Sequence, residues 1–193
     1  TTVVPPTFNG VEANSSTAYP WNTGNIRIQY IYDDTTFTSQ SIGFPILINQ
    51  IRFRANGGAT CTGRTYSNVT VSMSTAPIDH LLVTNDFASN HGLDLAVVYA
   101  GPVTVDPIPA AATPSAWYVT VNLPTPFLYD PTQGDLNVEV VHDGTFTGGT
   151  SAAVDMTTTT GGPWLGSRVW ALSPTAATAS SGQPNLIAPP EIE

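Results

Sequence analysis

The sequence predicts an all-β chain, an antiparallel β-sandwich of jelly-roll type with extended N- and C-terminal segments. Three observations carry that prediction. Apolar residues recur with period two in several runs, and no window of useful length holds a helical period. Glycine and proline, 16 and 17 in number, punctuate the chain between those runs, as short strands joined by turns require. Threonine dominates the polar residues; it is β-branched, favours strands and covers a solvent-facing sheet without charge.

The first run, 25–32, puts Ile26, Ile28, Tyr30 and Tyr32 on one face and Arg27 and Gln29 on the other. In 46–54, Ile51 and Phe53 point one way, Arg52 and Arg54 the other. The cleanest alternation is 66–75, where Val69, Val71 and Met73 interleave with Thr70, Ser72 and Ser74. A longer strand over 96–105 is broken by Gly101-Pro102. Trp117, Val119, Val121 and Leu123 point inward from 117–123, and 136–140 and 167–172 complete the set. Turns are expected at Asn56-Gly57-Gly58, which can take positive φ, and at 130–135, where Pro131 fixes φ and Gly134 frees it. A single helical turn is expected around 86–89.

The chain has 193 residues, which suits one domain. Residues 1–24 read as an N-terminal extended segment, 25–172 as the sandwich core and 173–193 as a Pro-rich C-terminal tail. Only 10 % of residues are charged, against about 25 % in ordinary soluble domains. There are five arginines, no lysine and a net charge of −9. Without a Lys/Arg cluster a nucleic-acid partner is excluded, and anionic lipid is a poor partner too. No apolar stretch is long enough to insert in a bilayer as a helix. Cys61 is the one cysteine, so no intramolecular disulfide forms; it reads as a buried apolar thiol or a link between subunits. The start at Thr1 and the lysine-free, Thr-rich make-up point to a secreted, extracellular or cell-surface protein.

Several segments between 42 and 140 share a recognisable pattern: Ile51-Arg52-Phe53-Arg54, the run from Asn68 to Thr75, Phe87-Ala88-Ser89-Asn90-His91-Gly92, Tyr99-Ala100-Gly101-Pro102-Val103, and Pro126-Phe127-Leu128-Tyr129-Asp130-Pro131 leading to Gly134-Asp135-Leu136. With them, about half the chain resembles an uncharacterised family of secreted bacterial β-sandwich proteins, many carrying a PEP-CTERM sorting tail. The resemblance implies fold and export, and no catalytic residues. The Pro-Glu-Pro motif, apolar helix and basic end of that tail are missing here.

Candidate sites are few. Asp86, Asn90 and Asp94, with His91, share one loop and could supply oxygens to calcium, although the EF-hand spacing is absent and such residues also cap turns. Asp33-Asp34 reads as a turn. His80, His91 and His142 are far apart in sequence, with no zinc-type spacing. There is no Gly-x-Ser-x-Gly elbow. Glu139, the only mid-chain glutamate, alternates with Asn137 and Val141 and reads as an outward side chain, leaving a glycosidase without its second carboxylate. Trp164, in a Gly-Gly-Pro loop, and Trp21 are candidate platforms for a polysaccharide. Asn14 and Asn68 fit the glycosylation acceptor pattern, Asn14 being the more accessible.

These observations lead to a non-enzymatic extracellular structural protein, a self-assembling subunit of a filament, sheath or matrix. Val3, Val4, Leu186 and Ile187 are expected to pair as strands with a neighbouring subunit. The alternative is a secreted carbohydrate-binding module. No cofactor is expected apart from calcium.

Overall fold

The computed structural model describes residues 2–4, 6–158, 165–183, 186, 187 and 190–192. The strands are β1 (Thr2–Val3), β2 (Ser15–Thr17), β3 (Ile26–Tyr32), β4 (Ile46–Arg54), β5 (Arg64–Thr75), β6 (Ala96–Val105), β7 (Trp117–Tyr129), β8 (Leu136–His142), β9 (Phe146–Gly148), β10 (Val154–Thr158), β11 (Gly166–Ala171), β12 (Ser181–Gln183), β13 (Leu186–Ile187) and β14 (Pro190–Ile192). One α-helical turn, α1 (Thr35–Thr38), follows β3, and 3₁₀ turns lie at Pro6–Phe8, His80–Leu82 and Ala88–Asn90. The turn expected around 86–89 is thus present as the last of these, and α1 was not foreseen.

The main sheet is antiparallel, in the order β1-β14-β4-β7-β6-β5-β8-β3-β11-β12, with β9 added against β5; β13-β10-β2 form a second, small sheet. The ladder folds back on itself. Strands β3 and β4 stand five steps apart in the order, yet the rings of Tyr30 and Phe53 lie 6.4 Å apart, and Trp21 packs edge-on to Phe53 at 5.6 Å. The result is a sandwich-like, all-β body, as the period-two pattern predicts. This strand order gives the jelly-roll connectivity no support.

The core lies between the layers. Ile26, Ile28, Tyr30 and Tyr32 from β3 meet Val69, Val71 and Met73 from β5, Val138 and Val140 from β8, and Ile51, Phe53, Val119 and Val121 from the opposite layer. Buried tyrosines keep their hydroxyls satisfied: Tyr66 donates to the carbonyls of Trp21 and Thr23, and Tyr118 to that of Ala152. Gly101 takes φ +154° where the β5–β6 ladder shifts register, so the strand bulges at Gly101-Pro102 and continues.

The terminal segments are used within the chain. Thr2 and Val3 pair with Ile192 and Glu191 of β14, and β14 pairs in turn with Phe53, Arg52 and Ile51 of β4. Val3 and Val4 are buried in the chain's own interior. Leu186 and Ile187 pair with Thr158 and Thr157 of β10. The expectation that these four residues join a neighbouring subunit is therefore corrected: Val3 pairs with β14, Val4 is buried in the core, and Leu186 and Ile187 pair with β10.

Candidate functional site

Strand register builds a cluster of carboxylates at one end of the sandwich. Tyr32 pairs with Leu136, and Leu136 with Thr75. The residues just past each strand end must therefore meet: Asp33 and Asp34 after β3, Asp135 before β8, and Ala76 after β5. Ligand oxygens of Asp33, Asp34 and Asp135 lie within 4.8 Å of one another. They line an open depression of about 400 Å³ with Asp79, Pro77 and Gln133.

Each carboxylate has a distinct environment. Asp135 accepts from the backbone N–H of Asp34 at 3.0 Å and of His80 at 2.6 Å. Burial, aided by the charge of Asp33, outweighs those donors and pushes Asp135 up to about 6. Burial raises Asp34 as well, with the charge of Asp33 next. Burial would also raise Asp33, but His80, 3.4 Å away, and the N–H of Thr35 more than offset it and leave it lowered. Carboxylates so close retain a proton or admit a hard cation such as calcium, and among the described residues these three are the ones placed to hold it.

A second polar group lies between the outer face of β3, β8 and β5 and the strap 76–95. Gln29, Glu139 and Ser72 form one cross-strand row; Asn137 and Ser74 form part of the next. Gln29 Nε2 lies 2.9 Å from Phe87 O, Glu139 Oε2 and His91 Nε2. Ser74 Oγ lies 2.8 Å and Asn137 Nδ2 3.3 Å from His91 Nδ1. Glu139 is buried, not outward: its Oε2 pairs with Arg27 Nε at 2.9 Å and stands 3.5 Å from His91 Nε2. Burial raises its carboxyl, but His91 and Arg27 overcome that and hold it below the ordinary value. The strap overlies this face, so the polar alternation of β8 is an interior one. Phe87 anchors the strap against Val169, Ala171 and Ala179.

The calcium expectation at Asp86, Asn90 and Asp94 is corrected by the same strap. Asp86 accepts from Ser89 Oγ and the Ala88 N–H. Asn90 is fully buried, its amide spent on Gln29 and Thr84. Asp94 clamps the N–H and hydroxyl of Thr75. The three close separate turns instead of converging on one point.

Trp21 is buried between Phe53, Tyr66 and His142, where it cannot stack on a sugar. Trp164 lies outside the described residues. Asn14 is exposed, but its side chain extends the β2–β10 ladder: Nδ2 donates to Thr158 O, and Oδ1 accepts from Thr158 N. Asn68 is exposed and donates to Asp143. Cys61 is buried.

On the β4–β7 side, Leu47 and Leu128 pair across the ladder with 62 % of each exposed. Leu128 lines a groove of about 540 Å³ with Pro45, Pro77 and the fully exposed Leu93; Phe44, next to Pro45, is exposed as well. Among the described residues no helix is long and apolar enough to cross a membrane. Compared with known family models, curated proteins and solved structures, the chain finds no match.

Proposed function

We propose that this is a non-enzymatic, extracellular structural protein that associates with copies of itself. The apolar surface around Leu47, Leu93 and Leu128 carries the reading, because contiguous apolar surface on a body of this size is a contact surface in waiting. Low charge density supports it, since few like charges oppose close packing of copies. The contact falls to this face and not to the termini, whose backbones are paired inside the chain.

Sedimentation velocity over a range of concentrations tests the proposal. The wild-type chain is expected to form assemblies, and the double variant Leu47→Asp/Leu128→Asp to remain monomeric with unchanged circular dichroism. A wild-type monomer at every concentration would remove the reading.

A further inference from the structure

The group around His91 brings together a hydroxyl, an imidazole and a carboxamide, and none of them is used by the reading above. Ser74 and Asn137 are register partners on adjacent antiparallel strands, so their side chains leave the same face side by side. Both are fully buried. Both reach the same imidazole nitrogen, His91 Nδ1, Ser74 Oγ at 2.8 Å and Asn137 Nδ2 at 3.3 Å. The other ring nitrogen, Nε2, stands 2.9 Å from Gln29 Nε2, whose two hydrogens go to Phe87 O and Glu139 Oε2, and 3.5 Å from Glu139 Oε2, which is itself held by Arg27. Asn137 Nδ2 donates to Asn90 O, which fixes the amide with its nitrogen toward His91. Its Oδ1 is buried without a hydrogen-bond partner.

We infer that Ser74 and Asn137 join in an intramolecular ester that ties β5 to β8. Ser74 Oγ attacks Asn137 Cγ as its proton passes to His91 Nδ1, with the ring proton on Nε2 directed at Glu139. The tetrahedral centre then expels Nδ2, which takes the proton back from the same nitrogen and leaves as ammonia. One Oγ–Cγ bond forms, one Cγ–Nδ2 bond breaks, and no oxidant or second reactant is required. Holding both groups against one base makes the step unimolecular, the arrangement that gives intramolecular reactions their large effective concentrations. An ester carbonyl is a weaker acceptor than an amide carbonyl, so the unpartnered oxygen is better tolerated in the product. Burial also keeps water from the ester. Thr75 and Gly92, next in sequence to Ser74 and His91, line the open groove and give ammonia a short way out. The link suits a chain with no lysine and a single cysteine, which can make neither an amide cross-link from lysine nor an internal disulfide.

Intact-mass spectrometry of the purified, folded chain after incubation at neutral pH decides the matter. The expected mass is lower than that of the sequence by one ammonia, with a chymotryptic digest yielding one branched species that joins the Ser74 and Asn137 peptides. Ser74→Ala is expected to restore the full mass, and His91→Gln to slow the loss of ammonia by about 100-fold or more. A wild-type chain that keeps its full mass would overturn the inference. So would loss of ammonia without a branched peptide, which is the mark of cyclisation at an asparagine alone.

Discussion

Asp135 accepts hydrogen bonds from the backbone of two different loops, from Asp34 N–H at 3.0 Å and from His80 N–H at 2.6 Å. One carboxylate thus fastens both α1 and the start of the strap to the head of β8. It does so beside Asp33 and Asp34, and that proximity makes the fastening sensitive to pH.

The folded state holds the proton of Asp135 more tightly than the unfolded chain does, at about 6 against 3.8. Ionisation of this group therefore opposes folding, and its contribution to stability declines as pH rises from about 4 to 6. Asp135→Asn removes that decline. Urea denaturation at intervals between pH 4 and 7 should show the variant gaining on the wild type by about 3 kcal/mol over the window. Parallel pH profiles for the two proteins would contradict the assignment.

Glu139 behaves in the opposite sense. Its folded affinity for a proton is lowered below the ordinary value of 4.5, so its stabilisation is complete above that pH and is lost as pH falls through the folded value. Glu139→Gln should cost about 1–3 kcal/mol at pH 7 by removing the negative charge that Arg27 pairs with. The deficit should shrink as pH falls below the ordinary carboxylate value and through the lowered folded one, where the wild-type side chain takes up its proton. A deficit that stays constant down to pH 3 would show that packing, not charge, sets it.

Arg54 and Asp155 form an ion pair at 2.6 Å with 3 % and 1 % of their side chains exposed. Arg54 also donates to the carbonyls of Phe8 and Val11, so it ties the N-terminal segment to β4 and β10. Asp155→Ala leaves a buried guanidinium without its counter-ion, and a loss of about 3–5 kcal/mol is expected in thermal and denaturant unfolding. The paired replacement Arg54→Met/Asp155→Leu should recover most of it. Equal damage from the single and double variants would mean that the backbone contacts of Arg54 dominate.

The strands with one apolar face were legible from sequence because burial on that face imposes period two; Ile26 to Tyr32 and Val69 to Met73 are the clear cases. The opposite faces were not. Gln29, Ser74, Asn137 and Glu139 alternate as solvent-facing residues do, and only the strap, which contacts them from far along the chain, turns that face inward. The acidic cluster was half visible. Asp33-Asp34 reads as a turn, and the pair does lead into α1, but Asp135 arrives through the Tyr32–Leu136 register, which no local pattern encodes. Strands such as β1 and β13 hold two residues each, too few for any period; their partners impose the extended form. Trp21 misled because an aromatic beside Pro20 and Asn22 resembles a loop platform, yet its ring fills the core between Phe53 and His142.

The placement of β14 between β1 and β4 has a consequence for the order of folding. Among the described residues β1 pairs with its sheet through β14 alone, and β4 waits for residues about 140 positions further on to cover its outer edge. Loop closure over such distance is slow, so this edge is the last to zip. For that interval β1 has no strand to pair with, and the outer edge of β4 stays open. The same three-residue strand then serves as the latch that ends it.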